Sequence, residues 1–195
     1  MALKRWNAER VAEAHNPSQF PGDLGPEIAL AGRSNVGKSS LLNALCGQQS
    51  LARTSKTPGR TRALHFFRTD AHLTLVDFPG YGFAKGPGED RRAWRSLIEA
   101  YLSSRVRLKA VAVLVDSRHE PSPEDCGLFD WLNSIGKHAL CIATKADKLS
   151  GNERTQSLAL LKRKLKLNHD PIAFSSVSGL GREELVVKLK ALAKG

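Results

Sequence analysis

Eight consecutive residues, Gly32-Arg33-Ser34-Asn35-Val36-Gly37-Lys38-Ser39, have the composition and spacing of a loop that holds phosphate. Glycines let backbone N–H groups curl round phosphate oxygens with no Cβ in the way, and the start of a helix adds its positive dipole end. An apolar run, Ile28-Ala29-Leu30-Ala31, precedes the loop, and Ser40-Leu41-Leu42-Asn43-Ala44-Leu45 follows with the pattern of an amphipathic helix. Strand, glycine loop and helix therefore come in the order such a loop needs. The spacing puts Lys38 within reach of the β- and γ-phosphates of a nucleotide and the Ser39 hydroxyl where it can ligate Mg²⁺. Residues Gly32 through Ser40 are the expected phosphate cradle.

Three further stretches supply complementary chemistry. Asp77-Phe78-Pro79-Gly80 has the form D-x-x-G: the carboxylate can hold Mg²⁺ through water, and the glycine N–H can reach a γ-phosphate. Thr144-Lys145-Ala146-Asp147 has the form T/N-K-x-D. A carboxylate there can accept hydrogen bonds from guanine N1–H and the N2 amino group. Adenine offers neither donor and would leave the carboxylate unpaired. Lys145 would lay its stem along the base, and Phe174-Ser175-Ser176 would turn backbone N–H groups toward guanine O6. The polar stretch 47–62 suits a mobile loop whose threonine closes on Mg²⁺ and the γ-phosphate; Thr54, Thr57 and Thr61 are all candidates by spacing.

The elements that must position these loops alternate along the chain. Residues 63–68 and 72–77 read as two strands joined by a Thr69-Asp70-Ala71 turn. Trp94, Leu97, Ile98, Tyr101 and Leu102 recur at helical spacing. Val111-Ala112-Val113-Leu114-Val115 and Leu140-Cys141-Ile142-Ala143 read as buried strands, with a helix carrying Leu128, Leu132 and Ile135 between them, started by Ser122 and Pro123. A helix through Leu158, Leu161 and Leu165, a short strand 172–174 and a helix through Leu185, Leu189 and Leu192 complete the chain. This alternation predicts an α/β, three-layer sandwich of the P-loop NTPase type. Its six-stranded, mostly parallel sheet has one antiparallel edge strand and helices on both faces. Residues 26–195 form one domain, and residues 1–25 an extension lying on it, with a short helix over residues 5–14.

Composition narrows the partners. Thirty Lys and Arg against nineteen Asp and Glu give a net charge of +11, which favours RNA or another polyanion. A basic helix (Lys162, Arg163, Lys164, Lys166) and Arg91, Arg92, Arg95, Arg105 and Arg107 are candidate RNA contacts, although for any one of them a solvated face is the plain account. Cys46, Cys126 and Cys141 show no metal-ligand spacing, and two of them sit in apolar surroundings where a free thiol packs as a small hydrophobe, which fits a reducing cytoplasm. No stretch approaches the length of a membrane span. Arg118 and His119 would sit just past a strand end beside the nucleotide; a structural or partner-facing role is expected of them rather than catalysis.

Taken together, Gly32 to Ser40, Thr57-Pro58-Gly59-Arg60-Thr61, Asp77-Phe78-Pro79-Gly80-Tyr81-Gly82, Asp116-Ser117-Arg118-His119 and Thr144-Lys145-Ala146-Asp147-Lys148-Leu149 resemble the EngB family of bacterial translation-factor-class GTPases, from about Pro26 to the C-terminus. The resemblance implies a GTP-hydrolysing switch that assists assembly of the large ribosomal subunit through ribosomal RNA. It also implies a linked requirement in cell division and septation, cytoplasmic location, and no DNA or membrane partner; a monomer is the default. It selects Thr61 as the switch threonine, makes Ser39 and Thr61 the Mg²⁺ ligands, and adds Gly59, Arg60, Arg62 and Ala63 to the nucleotide contacts. Lys38, Thr61 and Gly80 become the catalytic set. Potassium-activated relatives carry an asparagine where this chain has Asn35, so a K⁺ site is a further expectation. Tyr81 occupies the place where Ras-type GTPases put a water-orienting glutamine, which predicts slow intrinsic hydrolysis. The contrasting reading is a nucleotide-gated protein-binding module of the division machinery with incidental hydrolysis. An ATP-dependent kinase or motor is disfavoured by Asp147.

Overall fold

Alternation along the central strands decides the layering. In the strand β2 (Glu27–Gly32), Ile28 and Leu30 point to one face of the sheet, and Ala29 and Ala31 to the other. The computed structural model describes residues 5–48, 51, 63–81 and 88–194, the backbone alone at 88–91, 93 and 94. Its other elements are β1 (Ala8–Ala14), α1 (Lys38–Cys46), β3 (Leu64–Thr69), β4 (Thr74–Asp77), α2 (Gly88–Ser104), β5 (Leu108–Asp116), α3 (Pro123–Ser134), β6 (Ala139–Thr144), α4 (Gly151–Lys164), β7 (Ile172–Ala173) and α5 (Arg182–Lys194). One core gathers Leu41, Leu45, Leu185, Val186 and Leu189 of α1 and α5 on the Ile28 face. The other gathers Ile98, Tyr101, Phe129, Leu132, Leu161 and Leu165 against the Ala29 face. The three-layer sandwich expected from the sequence is therefore present. On α3 the buried apolar residues are Phe129 and Leu132, while Ile135 lies past the last turn and is exposed.

The sheet order is β1-β3-β4-β2-β5-β6-β7, with β2, β4, β5, β6 and β7 parallel. The antiparallel edge is there, but the sheet has seven strands, not six. Residues 8–14 are not a helix lying on the domain; they pair antiparallel with β3, which itself pairs antiparallel with β4. Ala-Glu-Arg-Val-Ala-Glu-Ala carries good helix formers, and tertiary context overrides that local preference. The exposed backbone groups of β3 need a partner, and side chains meet across the pair: Glu9 forms an ion pair with Arg68 at 3.2 Å, and Glu13 lies 3.6 Å from the His65 ring. Trp6 continues the attachment, buried in the α1 core with its backbone N–H bonded to the Leu45 carbonyl at 3.1 Å.

At the edge of the sheet where the parallel strands begin, Glu27 is fully buried. Its carboxylate accepts from Tyr101 Oη at 2.5 Å and pairs with Arg105, which also donates to the carbonyls of Pro21 and Gly22 and lies 5.9 Å from the centre of the Phe66 ring. Arg105 is thus a structural residue, which removes it from the candidate RNA contacts. Replacing Arg105 with alanine leaves a buried carboxylate uncompensated and should cost about 3–5 kcal/mol in urea denaturation. Arg107, exposed in its pair with Asp23, should cost less than about 1 kcal/mol on the same change. Equal losses would remove the special place given to Glu27.

Candidate functional site

The chemistry-bearing loops all leave the carboxyl ends of the parallel strands, where an open α/β sheet receives its ligand. Gly32 ends β2 so close to β5 that a Cβ would lie 2.8 Å from the Leu114 carbonyl oxygen. Asn35 and Gly37 take positive φ of 62° and 115°, and α1 begins at Lys38. Gly37 gives α1 no side-chain cap, so the N–H groups of its first turn, from Lys38, Ser39 and Ser40, remain directed outward along the axis. Val36 is buried in the core and contributes backbone alone.

Lys38 Nζ donates to the Gly32 carbonyl at 3.1 Å. Burial pushes this ammonium below its ordinary pKa, and Asp77 pulls it back up. Asp77, at the end of the neighbouring strand β4, is pushed up to about 6 by burial, with Lys38 opposing. Its Oδ1 is buried with no hydrogen-bond partner among the described residues. A carboxylate oxygen left without a partner at the end of β4, with Ser39 in the first turn of α1 after the neighbouring strand β2, fits a hydrated divalent cation. The neighbouring Asp-Phe-Pro-Gly turn is fixed from both sides. Phe78 packs edge-on against Tyr101 with ring centres 5.4 Å apart, so its ring belongs to the core. The Ser34 N–H donates to the Tyr81 carbonyl at 3.0 Å, and Gly80 lies flat against the phosphate loop, where a Cβ would come within 2.9 Å of Ser34 Oγ. Tyr81 Oη donates to Asp125 Oδ1 at 2.7 Å, and Asp125 Oδ2 accepts from the Ser122 N–H and hydroxyl at the start of α3.

The base-recognition loops are cross-linked to the same cradle. Thr144 Oγ1 is 2.8 Å from the Val36 carbonyl and 3.1 Å from that of Val115. Lys145, in a left-handed conformation, donates to the Asn35 carbonyl at 3.2 Å and to Asp116 Oδ2 at 2.8 Å. Burial would raise the Asp116 pKa, but Arg118 and Lys145 hold this carboxyl well below the usual range. Arg118 grips both Asp116 oxygens, at 3.0 and 2.8 Å, which commits it to the structural role. Asp147 sits in the one-turn helix Ala146–Lys148, its pKa lowered first by the Ser175 hydroxyl and then by Lys148. Ser175 Oγ also accepts from the N–H groups of Val177 and Ser178, and the Ser175 N–H bonds the Leu180 carbonyl. Ala146 and Phe174 are buried and joined backbone to backbone at 3.2 Å.

Most of the expected residues therefore converge on one edge: Gly32 through Ser40, Asp77 through Gly80, Thr144 through Asp147, and Phe174 through Ser176. Ala63 is buried just before β3. Thr54, Thr57, Gly59, Arg60, Thr61, Arg62 and Gly82 lie outside the described residues. Asp116, read from sequence only as part of a motif, anchors Lys145. Two contributors were missed: Asp125, which receives Tyr81, and Gly181, whose φ of +70° lets the Ser175 loop close. Only the Gly179-Leu180-Gly181 spacing signalled the last.

A Cβ at Gly181 would lie 1.8 Å from the Ala173 carbonyl oxygen, whereas one at Gly136, at φ +66°, meets nothing within 4 Å. Gly136→Ala should cost about 1 kcal/mol of conformational strain alone. Gly181→Ala should also lower guanine-nucleotide affinity by roughly tenfold or more, because the loop that orients Asp147 cannot close; calorimetric titration with GDP checks it. Tyr81→Phe strands a buried carboxylate oxygen of Asp125 and should cost about 1–3 kcal/mol in stability while leaving GDP affinity unchanged.

A family model described as "50S ribosome-binding GTPase" matches residues 27–145. A probable GTP-binding protein EngB of Pelotomaculum thermopropionicum is 47% identical over 186 residues, covering 94% of each chain. One from Streptococcus pneumoniae serotype 19F is 45% identical over 188 residues, 94% of this chain and 95% of that one. The crystal structure of a probable GTP-binding protein engB matches with a TM-score of 0.73 over 86% of this chain and 98% of the other; at 24% identity, that likeness speaks for the fold. The G domain of the Thermotoga maritima FeoB iron transporter matches at TM-score 0.53 and 27% identity, over 86% and 98%. With the phosphate cradle and the Lys145–Asp147 loop on one sheet edge, the chain belongs to the EngB family of GTP-binding GTPases.

Proposed function

We propose that this GTPase cycles between GTP and GDP states to dock on, and leave, the large ribosomal subunit during its assembly in the cytoplasm, with the linked requirement in cell division and septation. The observation that carries the guanine reading is the place of Asp147, in the one-turn helix Ala146–Lys148 at the same end of the parallel strands as Lys38 and Asp77, with its pKa lowered first by the Ser175 hydroxyl. The phosphates lie on the first turn of α1, with Lys38 neutralising the β- and γ-oxygens. Ser39 and Thr61 would hold Mg²⁺, with Asp77 acting through water, and the ion would supply charge screening for the phosphate oxygens. In hydrolysis a water attacks the γ-phosphorus, the bond to the β–γ bridging oxygen breaks, and GDP and phosphate leave.

Slow intrinsic turnover follows from Tyr81, whose hydroxyl is committed to Asp125 and which has no carboxamide to orient water. A K⁺ ion held by Asn35, or the ribosomal partner, would complete the reaction. Equal turnover in Na⁺ and K⁺ removes the ion's role. No helix among the described residues is long and apolar enough to cross a membrane, and the net charge of +11 supports an RNA partner.

Two measurements test the reading. Asp147→Asn should weaken GTP binding by roughly 100-fold or more and favour xanthosine triphosphate, whose C2 carbonyl accepts from the new amide; unchanged GTP affinity sinks the guanine assignment. Sedimentation with large ribosomal subunits should show association with a non-hydrolysable GTP analogue and not with GDP, weakening as salt rises. Absence of association in both states overturns the ribosomal role and leaves the protein-binding module of the division machinery as the reading to pursue.

A further inference from the structure

The nucleotide edge is not the only concave surface. At the opposite edge, where β6 and β7 begin, a cavity of about 330 Å³ is lined by Asn133, Lys137, His138, Lys166, Asn168 and His169, with Phe129 beneath. His138 immediately precedes β6, and its carbonyl bonds the Val111 N–H at 2.8 Å; His169 lies just before β7. The two imidazoles stack with ring centres 5.5 Å apart and planes 21° from parallel. Nε2 of His169 is buried with no hydrogen-bond partner among the described residues. Lys166 takes a left-handed φ of 54°, which L side chains rarely adopt.

The ends of α3 and α4 meet here, and helix C-termini attract cations, which accounts for Lys137 and Lys166. It does not account for the histidines. Burial, then Lys188, holds His138 below its ordinary pKa, and His169 is lowered in the same way, with His138, Lys188 and Lys162 opposing its charge and Asp170 favouring it. Two neutral stacked rings add no charge at a helix end. They do make a flat polarisable surface, flanked by two carboxamides that can donate and accept and rimmed by two ammonium groups. Lys166 is held by Asp130 at 3.0 Å and Lys162 by Asp170 at 2.8 Å, exposed pairs that a phosphate can replace at little cost.

We propose that this pocket receives one unstacked nucleotide of a single-stranded RNA segment. The base lies on the His138–His169 stack, Asn133 and Asn168 meet its edge, and the flanking phosphates lie between Lys137 and Lys166. The assignment rests on the ribosomal-RNA reading above and adds where on the protein the RNA is read. Because the pocket is at the far edge of the sheet, it and the guanine nucleotide can be occupied together.

The test uses the full chain with three probes: a mixed-sequence single-stranded oligoribonucleotide, a duplex of the same length, and intact large subunits beside their protein-free RNA. His138→Ala/His169→Ala should weaken binding to the single strand at least about fivefold, the loss expected for one stacked base. Lys137→Ala should weaken it and flatten its salt dependence. His169→Phe, which keeps a ring for stacking, should retain most of the affinity and guards against a fold defect, as does unchanged GDP binding. If the wild-type chain binds single strands and the histidine variant binds equally well, the pocket assignment falls and the RNA reading stands. If the wild-type chain binds no RNA or subunits, both fall. Equal preference for duplex overturns the stacking. Loss confined to intact subunits, with protein-free RNA bound as before, overturns it in favour of a ribosomal protein.

Discussion

A half-buried ammonium at the head of α1 and a half-buried carboxylate at the end of the neighbouring strand β4 set the terms for the whole molecule. Lys38 and Asp77 each oppose the other's burial, and neither is fully compensated: the ammonium is pushed down, the carboxyl up to about 6, and one carboxylate oxygen is orphaned among the described residues. Groups left so are costly, and a bound nucleotide phosphate offers the lysine the partner it lacks. The sheet order is what makes the arrangement possible. β4 lies directly beside β2, with Leu30 opposite Asp77, so the loop that carries the lysine and the strand that carries the aspartate end side by side.

The surrounding loops are bonded to one another across the site. Thr144, from β6, reaches carbonyls in the phosphate loop and at the end of β5; Lys145 spans the phosphate loop and Asp116; Ser175, from beyond β7, orients Asp147. Each connection draws on a different strand end, so the phosphate and base halves of the site hold a fixed separation without ligand. That is preorganisation in the ordinary sense: binding need not order these side chains, and less affinity is lost to entropy.

The phosphate and base loops were legible in the sequence because their chemistry is local, with glycine, lysine and aspartate at fixed offsets after apolar runs. Alternating strands and helices were legible for the same reason. What escaped depends on pairs distant in the chain. Nothing within residues 8–14 announces a strand; only the unpaired edge of β3 and the Arg68 and His65 side chains that face Glu9 and Glu13 do. Arg105 read as a solvent-facing arginine until the buried Glu27, 78 residues away, was placed beside it. Gly181 looks like any turn glycine unless the Ala173 carbonyl is seen 1.8 Å from its missing Cβ.

The turn at Gly80 joins these threads. On its N-terminal side, Phe78 is fixed by Tyr101, the residue whose hydroxyl also holds Glu27 at the far edge of the sheet. On its C-terminal side, Tyr81 is fixed twice, by its carbonyl to Ser34 and by its hydroxyl to Asp125, which caps α3. Gly80 is thus held between two anchored aromatic residues and pressed against the phosphate loop at a distance no side chain would allow. The position of its N–H is set by the core and by α3 rather than by the turn's own conformation. A tyrosine in this place spends its one polar group on securing the backbone, through Asp125 at the start of α3, and offers no carboxamide to a water molecule.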